Sequence, residues 1–169
     1  MSQVLMIVAP TMFRDEEYAR PKAVFESRGA VVTTASTRPG PAMGRFGLTA
    51  TAELSVADAD PAAFDAVVFV GGAGAEVFFD DPDAHALAQR AYDLGKVVAA
   101  ICVAPSILAH AGLLAGRRAT AFPDREADLI AYGATWTGHR VTTDAPFVTA
   151  NGPDAAYEFG EAVAALACI

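Results

Sequence analysis

Short runs of consecutive apolar residues recur along the chain, and such runs are typical of β-strands buried on both faces of a parallel sheet. Three of them, Val4–Ala9, Ala66–Val70 and Val97–Ile101, contain no polar residue, and Val31–Ala35 is predicted as a fourth strand. Because parallel strands need a long crossover between them, helices are expected in the intervening segments.

Two of those segments have helical periodicity. Asp15–Arg28 and Pro82–Gly95 space their apolar residues three or four positions apart, and glycine marks the end of each. The shared faces consist of Tyr18, Pro21 and Phe25 in the first, and of Ala84, Leu87, Ala88, Ala91 and Leu94 in the second. Alternating strands and helices predict right-handed crossovers and an α/β fold, a three-layer sandwich around a mainly parallel sheet.

The remaining segments predict shorter elements. They are a side hairpin within Gly40–Leu54, a strand over Gly116–Phe122, a helix over Asp124–Ala131, a hairpin of Val141–Thr143 and Phe147–Ala150, and a last helix that opens at Gly152-Pro153. Proline suits the first position of a helix because its missing N–H would have no partner there. No linker, repeat or low-complexity tract divides the sequence, so residues 1–169 are predicted to form one domain.

Composition narrows the partners that the protein can have. Of its 169 residues, 53% are hydrophobic and 19% are charged, which is typical of a globular chain, and the net charge is −8. Without a basic cluster, such a surface repels nucleic acid. The run Val4–Ala9 is too short for a signal peptide, and no stretch approaches the roughly 20 apolar residues that cross a bilayer. We therefore expect a cytoplasmic protein with no nucleic-acid or membrane partner.

Cofactor chemistry has little support in the sequence. Cys102 and Cys168 lie far apart without metal-ligand spacing, and both are expected to be reduced thiols in the cytosol. The first turn, Ala9 to Arg14, is not a phosphate-cradling loop of Gly, Ser and Thr. No metal and no cofactor is predicted, and Cys168, next to the C-terminus, is interpreted as a helix-packing residue or as part of a fraying helix end.

Cys102 lies where a buried strand meets a helix. The strand Val97–Ile101 ends directly before it, and the residues from Val103 onward indicate a helix with Pro105 in its first turn. Backbone N–H groups and the helix dipole favour a thiolate at such a turn, which predicts a lowered pKa for the Cys102 thiol. Ligands of open parallel sheets bind at this edge, so Cys102 is a candidate nucleophile; the alternative is a small core residue.

Two further features belong to the same edge of the predicted sheet. Gly71 and Gly72 follow the strand Ala66–Val70, and their bare backbone can offer an oxyanion-hole donor. Glu17 lies four residues before Pro21, which cannot donate to the Glu17 carbonyl and is predicted to disturb the helix there. If Glu17 is buried against the thiol, its pKa rises and it can move a proton; if it is exposed, it merely complements the helix dipole.

Taken as an ordered set, these stretches resemble the PfpI family, the class I glutamine-amidotransferase-like superfamily of intracellular proteases, the parkinsonism-associated deglycase and bacterial heat-shock chaperones. The resemblance implies a flavodoxin-like fold with a nucleophile elbow after a central strand, a small-molecule substrate, and a homodimer or larger homo-oligomer. It rests on Asp15-Glu16-Glu17-Tyr18 with Pro21, Phe64 to Gly72, Ala100 to Pro105, Leu113 to Thr120, and Ala150 to Pro153 leading into Tyr157-Glu158-Phe159.

The resemblance also implies roles for individual residues. Cys102 would be the nucleophile, Glu17 its acidic partner, and the backbone N–H groups of Gly72 and Val103 the donors to an oxyanion. The residues expected to line the pocket are Gly71, Phe122 and Asn151.

Histidine is missing where relatives of this kind carry it. Protease-type members have a histidine directly after the cysteine, where this chain has Val103, and several deglycase-type members have one at the position of Phe122. His85 and His139 are expected to be exposed, and His110 lies about 12 Å from Cys102 along the helix. The Cys-His route to peptide hydrolysis is therefore in doubt, and the pocket is expected to be more apolar.

Three functions follow from these residues. The first is a cysteine enzyme acting on a small reactive carbonyl compound, glyoxalase-like or deglycase-like, with isocyanide hydration as a related reaction. The second is peptidase or amidase activity. The third is a non-enzymatic role in the stress response, either as a redox sensor through oxidation of Cys102 or as a chaperone.

Overall fold

A parallel sheet forms the centre of the molecule. The computed structural model describes residues 1–169. Its strands are β1 (Gln3–Ile7), β2 (Thr11–Phe13), β3 (Val31–Ser36), β4 (Gly40–Gly44), β5 (Thr49–Ala52), β6 (Leu54–Ser55), β7 (Ala66–Phe69), β8 (Val97–Ile101), β9 (Arg118–Ala119), β10 (Thr135–Trp136), β11 (Val141–Asp144) and β12 (Phe147–Ala150). Seven of them form the sheet in the order β11-β12-β8-β7-β1-β3-β6, and β11 alone runs antiparallel to its neighbour.

Helices cover both faces of this sheet. They are α1 (Asp15–Ser27), α2 (Pro82–Asp93), α3 (Pro105–His110), α4 (Glu126–Ala131) and α5 (Ala156–Leu166). Alternate residues of each strand point to opposite faces: Leu5 and Ile7 pack with α2, α3 and α4, whereas Val4 and Met6 pack with α1 and α5. The predicted α/β three-layer sandwich is therefore confirmed, and none of its helices combines the length and the apolar character needed to cross a bilayer.

The helix α1 continues through Pro21 without interruption, so the predicted disturbance at Glu17 does not break it. At this proline α1 packs closely against α5, where Gly160 leaves room for the backbone of Pro21. A Cβ atom on Gly160 would lie only 2.9 Å from the Cα of Pro21.

The segment after α3 differs most from its prediction. Instead of a strand over Gly116–Phe122, only Arg118–Ala119 is extended, and this strand pairs with β10 outside the main sheet. The backbone N–H groups of the following residues have other partners: Thr120 donates to the Thr149 side chain and Phe122 donates to the carbonyl of Cys102. The hydrogen bonds that would extend the strand are therefore used to join this segment to the sheet edge.

Other predicted elements are found with small shifts. The side hairpin is β4 and β5, which form a three-stranded sheet with β2. The hairpin of β11 and β12 is present, and β12 also pairs with β8 in parallel, which places it inside the main sheet. The last two helices each begin after a 3₁₀ turn, Pro123–Arg125 before α4 and Pro153–Ala155 before α5.

Candidate active site

The backbone at Cys102 has a strained conformation. Its φ angle is +64°, in the left-handed region that side chains with a Cβ atom rarely adopt. Hydrogen bonds on both sides of the residue hold it there. Its N–H donates to the carbonyl of Ala150 at 2.9 Å, and its carbonyl accepts from the N–H of Phe122 at 2.7 Å. The thiol is thereby fixed at the end of the central strand β8.

Glu17 lies beside this thiol at the start of α1. Its side chain is completely buried, with 0% exposure, while that of Cys102 is 8% exposed. The two carboxyl oxygens of Glu17 have no conventional hydrogen-bond partner, and the polar group that contacts them is the weakly donating thiol of Cys102. A buried carboxyl group without a cation or amide partner is costly, which marks this pair as the chemically unusual feature of the fold.

The loop after β7 is the third segment of the site, beside the Cys102 turn and the start of α1. The N–H groups of Gly72 and of Val103 both face the sulfur of Cys102. Gly72 has a φ of +98°, and a Cβ atom there would lie 2.6 Å from the carbonyl oxygen of Met12. The N–H of Arg14 in turn donates to the carbonyl of Gly71 at 3.0 Å, so the loop is joined to the start of α1.

The protonation of the pair follows from its burial. Burial raises the pKa of Glu17 to about 8, although a hydrogen bond from Cys102 and the charge of Arg14 oppose the shift. Burial also raises the pKa of the Cys102 thiol to about 12; the negative charge of an ionised Glu17 adds to the effect, while the N–H groups of Gly72 and Val103 oppose it. At neutral pH the pair therefore holds both protons.

This result corrects the lowered thiol pKa that the sequence predicted. The backbone donors expected around the sulfur are present, but burial and a neighbouring carboxyl group outweigh them. The helix contributes little, because α3 has six residues and begins at Pro105, three positions after the cysteine.

A cavity of about 510 Å³ opens above the thiol. Three of its lining side chains are arginines, and the aromatic rings of Phe79 and Phe122 form an apolar part of the wall. The other lining residues are Glu17, Gly72, Ala73, Glu76, Cys102, Val103, Asp124 and Pro153, and the arginines are Arg14, Arg45 and Arg125. Charged side chains therefore share the wall with apolar ones, and the arginines come from segments that the motifs do not include.

Two residues predicted to line the pocket do not do so. Asn151 lies outside the cavity, where its N–H donates to the carbonyl of Arg140, and Pro153 takes the place on the wall. Gly71 lies behind the reactive pair, because a Cβ atom on it would be 2.8 Å from the carboxyl oxygen Oε1 of Glu17. Phe122, Gly72 and Val103 do line the cavity.

None of the three histidines lines the cavity above the thiol. His110 binds Asp80 through Nδ1 at 2.7 Å and Asp128 through Nε2 at 2.9 Å. His85 is half-buried and its Nε2 contacts the carbonyl of Phe79 at 2.7 Å, so the expectation that it is exposed was wrong. His139 is exposed, as predicted. No group of three or more His, Cys, Asp and Glu side chains is arranged to hold a metal ion.

Comparison with known proteins identifies the family. Residues 2–166 match the DJ-1/PfpI family. The chain is 41% identical to an uncharacterized protein of Methanocaldococcus jannaschii over 94% of this chain and 79% of that protein, and 33% identical to a deglycase of Pyrococcus abyssi over 90% and 92%. A crystal structure of a ThiJ/PfpI domain protein from Brachyspira murdochii superimposes with a TM-score of 0.95 at 34% identity, over 97% of this chain and 95% of that one. With its parallel sheet and its cysteine turn at the end of β8, the chain belongs to the DJ-1/PfpI family.

Proposed function

We propose that this protein is a cysteine-dependent enzyme that acts on small reactive carbonyl compounds, with a glyoxalase-like or deglycase-like reaction. The observation that carries the proposal is the contact between Cys102 and the buried, protonated carboxyl group of Glu17 below an open cavity. Deglycases among the relatives, such as that of Pyrococcus abyssi, support the same class of reaction.

Because Cys102 and Glu17 are both protonated, the thiol can add to a carbonyl group without creating a net charge in the site. Separated charges are expensive in a buried site, so a route that keeps the site neutral has the lower barrier. The thiol of Cys102 contacts the carboxyl group of Glu17, whose oxygens have no other hydrogen-bond partner, so the carboxyl proton is available for transfer. As the sulfur attacks a carbonyl carbon, Glu17 accepts the thiol proton and gives its own proton to the carbonyl oxygen. The thiolate thus exists only during attack, which revises the resting thiolate that the sequence suggested.

For a 2-oxoaldehyde the complete reaction balances without a further reactant except water. The sulfur bonds to the aldehyde carbon, and the aldehyde oxygen receives a proton to give a hemithioacetal. The hydrogen on that carbon then moves as a proton to the neighbouring ketone carbon, and the hydroxyl proton of the hemithioacetal moves to the ketone oxygen. These two transfers carry two electrons from the first carbon to the second and give the thioester of a 2-hydroxy acid. Water then cleaves the carbon–sulfur bond, which releases a 2-hydroxy acid and restores the thiol.

Backbone donors support the steps in which negative charge gathers on oxygen. The N–H groups of Gly72 and Val103 face the sulfur, so an oxygen on the carbon attached to that sulfur lies within their reach. These donors belong to a rigid turn and a buried loop, and they need no reorganisation when the oxyanion forms.

The alternatives have less support. The Cys-His route to peptide hydrolysis needs a histidine beside the thiol, and no histidine lines the cavity. A redox sensor needs an exposed, readily ionised thiol, whereas burial raises the pKa of Cys102. Isocyanide hydration uses the same thiol and acid, and it therefore belongs in the substrate screen.

The test compares methylglyoxal consumption and lactate formation by the wild type and two cysteine variants. Cys102→Ser should reduce lactate formation to the background rate, whereas Cys168→Ser, at an exposed cysteine, should retain wild-type activity. The same variants are assayed with an isocyanide, a peptide and a glycated amine. Equal activity in the wild type and Cys102→Ser, or turnover of the peptide alone, would contradict the proposal.

A further inference from the structure

Arg125 presents an unsatisfied donor at the wall of the Cys102 cavity. Its Nε atom is buried without a hydrogen-bond partner, and the nearest carboxyl oxygen, that of Asp124, lies 3.7 Å away. The guanidinium lies over the ring of Phe79, with Cζ 5.4 Å from the ring centroid. A buried N–H of a charged group without an acceptor is strongly unfavourable, so this donor is positioned for an acceptor that the chain itself does not supply.

Arg45 provides a second free cation at the same cavity. Its guanidinium packs on the ring of Phe46, with Cζ 5.4 Å from the centroid, and it has no carboxylate partner. Arg14 packs on that ring as well, at 5.0 Å, but Glu16 neutralises it through an ion pair of 2.7 Å. Arg14 is therefore closely paired, Arg125 has only the long contact with Asp124 at 3.7 Å, and Arg45 lies at the exposed rim without a carboxylate partner.

The acidic residues of the wall lie at its exposed rim. Glu76 and Asp124 are both exposed, as Arg45 is, so solvent screens all three charges, whereas the Nε atom of Arg125 is buried. Glu17 is the buried acid of the cavity, and it is neutral at neutral pH because burial raises its pKa to about 8. The less solvated part of the cavity thus favours a negatively charged ligand.

We propose that the substrate is a reactive carbonyl compound with a phosphate or carboxylate group, which Arg125 and Arg45 bind while the carbonyl carbon meets Cys102. This inference rests on the proposed function and specifies its substrate class. Both anions offer paired oxygen atoms that match the planar donors of a guanidinium group. The cavity of about 510 Å³ has room for a short carbon chain between the two ends.

Matched substrates test the inference directly. Hydroxypyruvaldehyde is the neutral compound, hydroxypyruvaldehyde phosphate adds a phosphate, and 4,5-dioxopentanoate carries a carboxylate; all three are 2-oxoaldehydes. The wild type should show a kcat/KM at least about tenfold higher for one of the anionic compounds than for the neutral one, as expected for a charge-assisted hydrogen bond. The preferred compound distinguishes phosphate from carboxylate.

Arginine variants test which side chains cause the preference for anionic substrates. Arg125→Gln and, separately, Arg45→Gln should lower the ratio of anionic to neutral kcat/KM by about tenfold, mainly through a higher KM for the anionic compound. Arg90→Gln is the matched control, because Arg90 pairs with Asp60 at 3.2 Å and does not line the cavity. A ratio near one in the wild type, or a preference that persists in both cavity variants, would overturn the inference.

A binding measurement separates this inference from the proposed reaction. Isothermal titration calorimetry with Cys102→Ser compares 3-phosphoglycerate, the product of the phosphorylated compound, with glycerate, and 2-hydroxyglutarate, the product of the carboxylate compound, with 2-hydroxybutyrate. All four compounds share a 2-hydroxycarboxylate, so each pair differs only in the additional phosphate or carboxylate. Tighter binding of either product with the additional group, by about tenfold and lost on addition of Arg125→Gln, supports the anion site even if no carbonyl compound is turned over. Turnover that depends on Cys102 but shows no such preference in binding or catalysis would refute the anion site and leave the proposed function standing.

Discussion

Gly71 packs directly against Cys102: a Cβ atom at residue 71 would lie 2.6 Å from the Cβ of Cys102 and 2.6 Å from the carbonyl oxygen of Ile101. The carbonyl belongs to the central strand β8 and cannot move aside cheaply. Glycine is therefore required at this position by the closeness of two chain segments, and the reactive pair depends on it.

Replacing Gly71 with alanine tests this dependence. We expect Gly71→Ala to lower the free energy of unfolding by about 2–3 kcal/mol, as overpacking of a core does, and to reduce activity by displacing Glu17 or Cys102. Gly95→Ala is the control, because nothing lies within 4 Å of its Cβ position and its φ of +71° costs about 1 kcal/mol. Urea denaturation and methylglyoxal turnover measure both effects; equal losses in the two variants would contradict the prediction.

Glu17→Gln tests the proton relay between the carboxyl group and the thiol. The relay needs a protonated carboxyl group, so wild-type kcat/KM should fall as the pH rises through about 8, the raised pKa of Glu17. Glutamine has a similar shape but cannot pass a proton on, and we expect kcat/KM to drop by about 10²–10⁴ and the decline near pH 8 to disappear. The measurement is a pH–rate profile of both proteins, and an unchanged profile in the variant would count against the relay.

The same residue makes stability depend on pH. Below the ordinary pKa of 4.5, Glu17 is protonated in the folded and the unfolded protein; between 4.5 and about 8 only the folded protein retains the proton. The unfolded state then releases a proton, so the free energy of unfolding falls as the pH rises through this interval, and it levels off above it. We expect the wild type to lose about 5 kcal/mol relative to Glu17→Gln over this interval, measured by urea denaturation at several pH values. A constant difference between the two proteins would show that Glu17 is not protonated in the folded state.

A second polar cluster joins α3 to α4. Asp128 accepts from Ser106 at 2.6 Å and contacts His110 at 2.9 Å, and His110 also binds Asp80 at 2.7 Å. Burial opposes a charge on His110, but the two carboxylates outweigh it and raise its pKa above 6.5. The stabilisation from the protonated histidine is complete below its unfolded pKa and is lost as the pH rises through its folded pKa.

Asp128→Asn should therefore destabilise the protein by about 2 kcal/mol at mildly acidic pH and by less at alkaline pH, where His110 is neutral. Asp80→Asn provides the comparison, because the side chain of Asp80 is 82% exposed and its contribution is screened. Thermal unfolding at two pH values measures both variants. A loss that grows with pH, or a larger loss for Asp80→Asn, would be inconsistent with this account.

The sequence predicted the reactive pair and its frame because both depend on local signals. Apolar runs mark β1, β7 and β8, and the carboxyl ends of parallel strands meet at one edge of a sheet, which brings Glu17, Gly72 and Cys102 together. Burial of Glu17 was one of two open alternatives, since an acid in the first turn of a helix is compatible with either an exposed or a buried position.

The cavity arginines and the raised thiol pKa were not predicted, because both depend on packing between segments that are distant in sequence. Arg45 and Arg125 reach the cavity from the β4–β5 hairpin and from the 3₁₀ turn before α4, and no periodicity indicates where such loops lie. The raised pKa of the Cys102 thiol was missed for the same reason. Its backbone donors follow from local sequence motifs, whereas its burial depends on the packing of the whole fold. The only sequence signal for these two residues is an arginine in a loop that follows one of the motifs.

The hydrogen bonds that hold Cys102 also determine when its turn can form during synthesis. The carbonyl of Cys102 accepts a hydrogen bond from the N–H of Phe122, and its N–H donates to the carbonyl of Ala150. Ala150 belongs to β12, the strand that pairs with β8, so both partners follow Cys102 in the sequence. The ribosome delivers these partners well after the cysteine itself, so the thiol emerges in a chain that cannot yet bury it. Until β12 joins the sheet, Cys102 is an ordinary accessible thiol, and we expect oxidants to modify nascent or unfolded molecules far more readily than finished ones.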